Sequence, residues 1–363
     1  MRTVPRHHHF VTKAYLDGFL EPPADHLLCY GRKRPAPFRS APEKLANIRD
    51  FHSFRRPDGS LDTSLEDYIG REIESPGMPV LRKLASGKAS IDHVQRLKLA
   101  KLIALQSVRV PFERNFMDRN NKDNLLSYLA QMDEDSRRHN APVNAIQIAI
   151  TPVDDPRLIK KWSTITRAQV LAALREVEED PTRSSRETFL GLAGAIAEIY
   201  MSMEWTIHCI QGSQRFITSD RPVLRHYSGG GGPGRGLRDI RSEVYFPLSS
   251  TALLHMKHHN WLIDQIRKRR RGPPSPRRRP AHQTIGCLGA EGGLVEKVNR
   301  TVADRAHLWV FSGREEGWLI DWMSKPFKKP KRAVTVVEEE QYLSSGHEPA
   351  TLTRKREFVV TED

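Results

Sequence analysis

The residues able to do chemistry fall in short groups that lie far apart in the 363-residue chain. The first is a histidine run, His7, His8 and His9, placed just before Thr12 and read as opening a helix. The partial positive field of a helix N-terminus keeps imidazole neutral, the form that ligates a metal or accepts a proton. Three consecutive histidines cannot all face one way, so at most two share a site, and a surface cluster is the plain alternative. The second group is Gln106 and Arg109. If Leu99, Leu102, Ile103 and Val110 face a core, Gln106 lies on that face and Arg109 at its edge. A guanidinium there needs a carboxylate or a phosphate, because leaving it unpaired costs about 3–5 kcal/mol. Glu66, Glu72, Glu74 and Asp220 are the available acids. Helical spacing from Tyr68 and Ile69 makes Glu72 the one expected to point inward; a buried structural salt bridge is the competing account. The third group is Thr218, Ser219 and Asp220, followed by Arg221 and Pro222, where an apolar strand ends in three oxygen-bearing side chains. Strand ends often carry active sites, although an Asx-type turn employs the same residues for backbone hydrogen bonds.

Other polar groups say less. The glycine-rich stretch at 229–234 lacks the Lys-Ser/Thr ending of a phosphate-binding loop and reads as a flexible connection. His255, His258 and His259 sit at the end of a strand without ligand-like spacing. The basic residues are concentrated. Arg267, Lys268, Arg269, Arg270, Arg271, Arg277, Arg278 and Arg279 supply more than half of the net charge of +14. Gly272, Pro273, Pro274 and Pro276 separate the two runs, so residues 265–282 read as an exposed loop, suited to phosphate contacts or simply to solubility.

The elements that must position these groups follow from periodicity. Val11, Tyr15, Leu16 and Phe19 mark a first helix, ended by Gly18 and the prolines at 22 and 23. Strands are expected at 26–30 and 50–54. Residues 64–131 are helical, interrupted at Pro76 and Gly77, and Asp92 caps a helix running toward Val110. Residues 132–160 read as loop around a strand at 145–151, and a helical pair follows at 167–177 and 186–202. From Met203 the apolar runs shorten to strands near 205–210, 215–218, 244–248, 252–257 and 308–311. Helices followed by strands give an α+β class: a helical layer on a small, mostly antiparallel sheet formed largely by the C-terminal half. Residues 1–325 are expected to form one large domain, with 326–363 a loosely attached or disordered tail.

At 38% hydrophobic residues the chain can build a sizeable core, which excludes a wholly disordered protein. Cys29, Cys209 and Cys287 are odd in number and form no Cys-x-x-Cys pair, so neither a disulfide framework nor a cysteine zinc site is expected. With no apolar leader after Met1, and with Glu198 and Glu204 interrupting the longest apolar stretch, a cytoplasmic protein is expected.

These motifs, in this order, resemble the domain of unknown function 4238 family, found mainly in bacteria. His8, His9, Val11, Tyr15, Leu16 and Phe19 are similar to its opening pattern, Glu66 with Glu72 or Glu74 to its paired glutamates, and Gln106, Arg109 and Pro111 to its Gln-x-x-Arg-x-Pro helix end. Trp205, the Phe216 to Pro222 motif, the Phe246 to Ser249 motif and Asn299 follow in the family's order. Thr12 departs from it where the family has proline, and the 267–279 stretch looks like an insertion. The resemblance implies an α+β protein within the cell and supplies no activity.

Residue chemistry then gives two expectations. In one, His8, His9, Glu72 or Glu74, Arg109 and Asp220 converge on a catalytic site for a phosphate ester, with Gln106, Thr218 and Ser219 binding substrate. There His9, Glu72 and Asp220 would hold Mg2+ or Mn2+, and the arginines at 267, 269, 270, 271, 277, 278 and 279 would recruit nucleic acid. In the other, the chain is a non-catalytic module binding nucleic acid or protein, and the same polar residues form a structural network.

Overall fold

The computed structural model describes residues 6–56, 58–88, 90–150, 161–227, 237–239, 241–258, 282–325, 339–343 and 350–354. The chain opens as strand β1 (His7–His9) and turns through Phe10 into a single helical turn, α1 (Lys13–Leu16), continued as a 3-10 turn to Phe19. The histidines therefore lie in a strand rather than at a helix start. Strands β2 (Leu27–Gly31) and β3 (Arg34–Ser40) follow, and β4 (Asn47–Arg49) pairs antiparallel with β1. A small hairpin, β5 (Phe54–Arg55) and β6 (Leu61–Asp62), leads into α2 (Ser64–Tyr68), a π-helical segment Ile69–Glu74, and α3 (Ser75–Ala85). The Pro76-Gly77 pair does not break the helical run. Pro76 sits in the first turn of α3, where its missing N–H costs nothing, and Gly77 lets Leu102 approach to where a Cβ would be 2.9 Å away.

After β7 (Ser90–Asp92), a capping box of Asp92 and Gln95 starts α4 (His93–Val108), as the sequence predicts. Pro111 then starts α5 (Pro111–His139), which is longer than expected and ends at Asn140 in the left-handed conformation, φ 48°. Strands β8 (Ala145–Ile150) and β9 (Lys161–Thr166) pair with each other. Helices α6 (Arg167–Glu179) and α7 (Arg183–Ser202) follow.

The C-terminal half supplies β10 (Glu204–Cys209), β11 (Thr218–Ser219), β12 (Leu224–Tyr227), β13 (Ser242–Ser249), β14 (Ala252–Lys257), β15 (His282–Thr284) and β16 (Gly286–Gly289). Helix α8 (Gly292–Arg305), strand β17 (Trp309–Ser312) and helix α9 (Gly317–Ser324) complete this part. In the tail, β18 (Glu339–Leu343) pairs with β19 (Ala350–Arg354); the tail's other residues from 326 on, like the 267–279 run and the whole glycine stretch at 229–234, lie outside the described residues.

The main sheet, ordered β12-β13-β14-β10-β16, is antiparallel except at the β10–β16 edge, so the α+β class holds. Alternation along its strands splits the core in two. Val244, Phe246, Leu248, Leu254 and Met256 join Leu99, Ile103, Phe189 and Tyr200 of α4 and α7. Tyr245 and Leu253 turn the other way, onto Val295, Val298 and Val302 of α8. A four-stranded sheet, β11-β17-β2-β3, ties the N-terminal strands to the C-terminal ones. Gly31 permits this, since a Cβ there would lie 2.4 Å from the Trp309 ring. A separate small cluster of Leu125, Met132, Ile146 and Val170 holds α5 and α6 to β8.

Candidate functional site

Strand pleating decides how the histidines point: His7 is exposed, His8 is fully buried and His9 is half-buried. The His8 Nδ1 accepts from the backbone N–H of His52 at 3.0 Å, which places its remaining ring hydrogen on Nε2. The two rings stack with centroids 5.8 Å apart. His52, fully buried between Phe51 and Phe189, accepts at Nδ1 from Arg114 Nη1 at 3.3 Å, so its hydrogen also sits on Nε2.

Immediately after β1 the chain meets Arg109. This side chain, 1% exposed, donates through Nε to the Phe10 carbonyl at 3.0 Å and through Nη2 to Thr12 Oγ1 and Gln106 Oε1 at 2.6 and 2.9 Å. Its Nη1 pairs with Glu74. Gln106 Nε2 adds a second bond to the Phe10 carbonyl, and the Thr12 hydroxyl donates to Glu74 at 3.0 Å. The buried guanidinium thus finds a carboxylate, as its position on α4 requires, and the structural salt bridge is what the fold contains. The Thr12 hydroxyl braces this direct ion pair from the side, accepting from Arg109 and donating to Glu74.

Glu74, not Glu72, is the inward acid. The π-helical segment spaces its turns more widely than an α-helix, so from the buried Ile69 the next inward positions are Ile73 and Glu74. Glu72 is exposed and paired with Arg71.

Glu66, one stretch earlier on α2, faces the same chamber. Among the described residues its Oε2 has no hydrogen-bond partner, and it lies 3.9 Å from His52 Nε2, which has none there either. His9 Nδ1 and Ser53 Oγ are likewise buried and unpartnered. These four buried atoms and the cations Arg109 and Arg114 form one packed polar cluster around β1, the Phe51–Ser53 turn and α2, and this cluster is the chamber. Its electrostatics are specific. Burial pushes the Glu66 carboxyl up to about 7, against the pull of Arg109 and with a further push from Glu74. Burial, then the fields of Arg109 and Arg114, holds His52 neutral, well below the ordinary imidazole value. His9 is lowered by burial and by Arg109. Burial lowers Arg114 to about 10, which leaves it charged at neutral pH.

The third predicted group lies in a different network. Asp220, 4% exposed, accepts from the backbone N–H groups of His307, Leu308 and Trp309 at 2.9, 2.6 and 3.1 Å. Burial nevertheless raises it, to about 6. Thr218 bonds Tyr15 Oη at 2.8 Å, Tyr15 in turn donates to the Pro247 carbonyl, and Ser219 Oγ accepts from the Arg221 N–H at 3.1 Å. All three side chains are buried and already partnered, Thr218 by Tyr15, Ser219 within its own turn and Asp220 by the backbone leading into β17, so the turn account describes Ser219 alone and none of the three is directed at the chamber. His9, Glu72 and Asp220 accordingly do not come together as a metal site. Among the described residues no group of three or more His, Cys, Asp or Glu side chains is placed to hold a metal ion. The arginines at 267, 269, 270, 271, 277, 278 and 279 lie outside the described residues.

A sequence model of the proteins of unknown function termed DUF4238 matches residues 7–316. The chain belongs to that family. The DUF4238 match begins at the strand carrying His8 and His9 and spans every residue of the chamber. No curated protein and no solved structure matches the chain.

Sequence reasoning missed His52, Ser53 and Arg114. A histidine between Phe51 and Ser53, beside Phe54, was a usable signal, because an imidazole set among aromatics is a candidate for burial. Arg114, one turn into a helix opened by Pro111, carried none.

Proposed function

We propose that this DUF4238 protein is a cytoplasmic, metal-independent enzyme that cleaves RNA, with Glu66 as the general base. One observation carries the reading: a half-buried carboxylate poised near pH 7, whose Oε2 has no partner among the described residues and faces the neutral His52 across 3.9 Å. RNA provides its own nucleophile. Glu66 would take the proton of a ribose 2′-hydroxyl, the oxygen would attack the adjacent phosphorus to give a 2′,3′-cyclic phosphate, and the 5′-oxygen would leave and take a proton from solvent water, with no metal-bound water required. Arg109 acts at one remove, since its donors are occupied; it lends field and holds Glu74 and Thr12 in place. The net charge of +14 and the arginine run suit a polyanionic substrate. Labelled RNA and DNA, incubated with purified protein in excess EDTA, test the proposal. RNA but not DNA should be cut, and Glu66→Gln should lose at least about a hundredfold in rate. A folded wild type that leaves RNA intact in EDTA would overturn it, whether or not Mg2+ or Mn2+ brings on cleavage.

A second reading, a nucleic-acid- or protein-binding module without turnover, is favoured by the way Arg109 and Asp220 are consumed by protein partners. It expects salt-sensitive RNA retention that Glu66→Gln leaves intact.

A further inference from the structure

Away from that chamber, a cavity of about 380 Å3 lies between α8, α9 and the segment before β11, a volume in the range of small-molecule sites. Its walls combine two tryptophans, Trp318 and Trp322, with Arg215, Arg300 and Arg314. We propose that this cavity binds a nucleotide unit, an aromatic base joined to a phosphate, either free or at the end of a nucleic-acid strand.

The argument rests on how the walls are held. Trp318 and Trp322 stand one turn apart on α9, ring centroids 5.9 Å apart at 77°. Trp318 Nε1 donates to Glu316 and Trp322 Nε1 to Asp304, each at 3.0 Å, so both rings are fixed before any ligand arrives. Arg300 and Lys325 already lie over the Trp322 ring, 5.5 and 4.8 Å from its centroid, so the fixed Trp318 ring is the stacking platform for a base. The arginines are equally preorganised. Arg314 bonds Glu316 through Nε and the Ser213 carbonyl through Nη1. Arg215 reaches Glu21 through Nε and backbone carbonyls through Nη1. Neither set of bonds uses Nη2, which stays available to donate to a bound anion. Each guanidinium is paired with one carboxylate, Arg215 with Glu21, Arg300 with Glu296 and Arg314 with Glu316, so it is the unused Nη2 donors of Arg215 and Arg314, not a surplus of charge, that favour a phosphate-bearing ring over a neutral one such as a sugar. Asn299 steadies the floor: its amide bonds the Ile217 N–H and the Arg215 carbonyl, leaving recognition to its neighbours.

The inference does not depend on the RNA-cleaving reading, and its test uses binding alone. Calorimetric titration of the full chain with nucleoside monophosphates, the matching nucleosides, inorganic phosphate and a neutral disaccharide is the experiment. Monophosphates should bind with a Kd below about 1 mM, and nucleosides and inorganic phosphate about tenfold or more weakly. Trp318→Ala and the exposed Arg300→Ala should each weaken monophosphate binding about tenfold; Arg300→Ala guards against a folding artefact, because its partner Glu296 is exposed as well. A 5′-phosphorylated oligonucleotide that displaces the monophosphate supports a strand end as the source, and failure to displace supports a free nucleotide. Absence of monophosphate binding at about 10 mM, nucleosides binding as tightly as monophosphates, preference for the disaccharide, or indifference to both substitutions would overturn the proposal.

Discussion

Replacing Glu66 by Gln should change how stability depends on pH, by an amount the structure sets. The folded carboxyl titrates at about 7 against an ordinary 4.5. Between those values the folded chain holds a proton that the unfolded chain has released, so wild-type stability falls as pH rises from 4.5 to 7 and is flat beyond. An interval of that size corresponds to about 3 kcal/mol. Solvent reaches 30% of the side chain, and screening there leaves about 2 kcal/mol. Glutamine has no such titration. The stability difference, variant minus wild type, should therefore shift in the variant's favour by about 2 kcal/mol between pH 4.5 and pH 8. Urea unfolding of both proteins at a series of pH values, with linear extrapolation, reads this directly, and titrations elsewhere in the chain cancel in the difference. A difference constant to within about 0.5 kcal/mol across that range would refute the argument that burial governs this carboxylate.

Arg109→Met takes the counter-charge from the part-buried Glu74, which keeps only the Thr12 hydroxyl, and should cost about 3 kcal/mol in denaturant melts; a cost below about 1 kcal/mol would show the pair to be dispensable. Asp220→Ala leaves three backbone N–H groups unanswered and should cost about 2–4 kcal/mol, with faster amide exchange at 307–309 as the local signature. Tyr15→Phe removes a hydroxyl that joins Thr218 to the Pro247 carbonyl and should cost about 1 kcal/mol in the same melts. RNA cleavage, if Glu66 is its base, should rise with pH through about 7 and level off, and in the Gln variant that limb should vanish along with the activity.

Much of this architecture was legible in the residues. Asp92 announced α4, the apolar runs at 244–248 and 252–257 announced the central strands, and the apolar face of α4 announced that Arg109 at its edge would need an anionic partner. Helix α8 was hidden because Val295, Val298 and Val302, though helically spaced, sit among short strands and follow glycines that suggest a turn. The histidine run was misplaced onto a helix because its real partner, Asn47–Arg49, is forty residues away and pairing is not written in local periodicity. His52 was passed over for the same reason: its burial is created by Phe189 and Arg114, which arrive from other helices. Asp220 was assigned chemistry when its neighbours supply only backbone donors, and nothing in the sequence names the strand it would cap.

The π-helical turn at Ile69–Glu74 sets how the chamber responds to changes in chain length. Each residue of an α-helix advances the direction of its side chain by about 100°, so the aims of Glu66 and Glu74 are encoded in the number of residues between them as much as in their identity. Gly70 has open space where a Cβ would stand, so that position tolerates a new side chain. It does not tolerate loss of the residue, which would tighten the turn into an ordinary helix and swing one carboxylate away from the other. In evolutionary terms the segment admits substitution at Gly70 while staying closed to insertion and deletion, and the spacing from Glu66 to Glu74 is the quantity selection can act on.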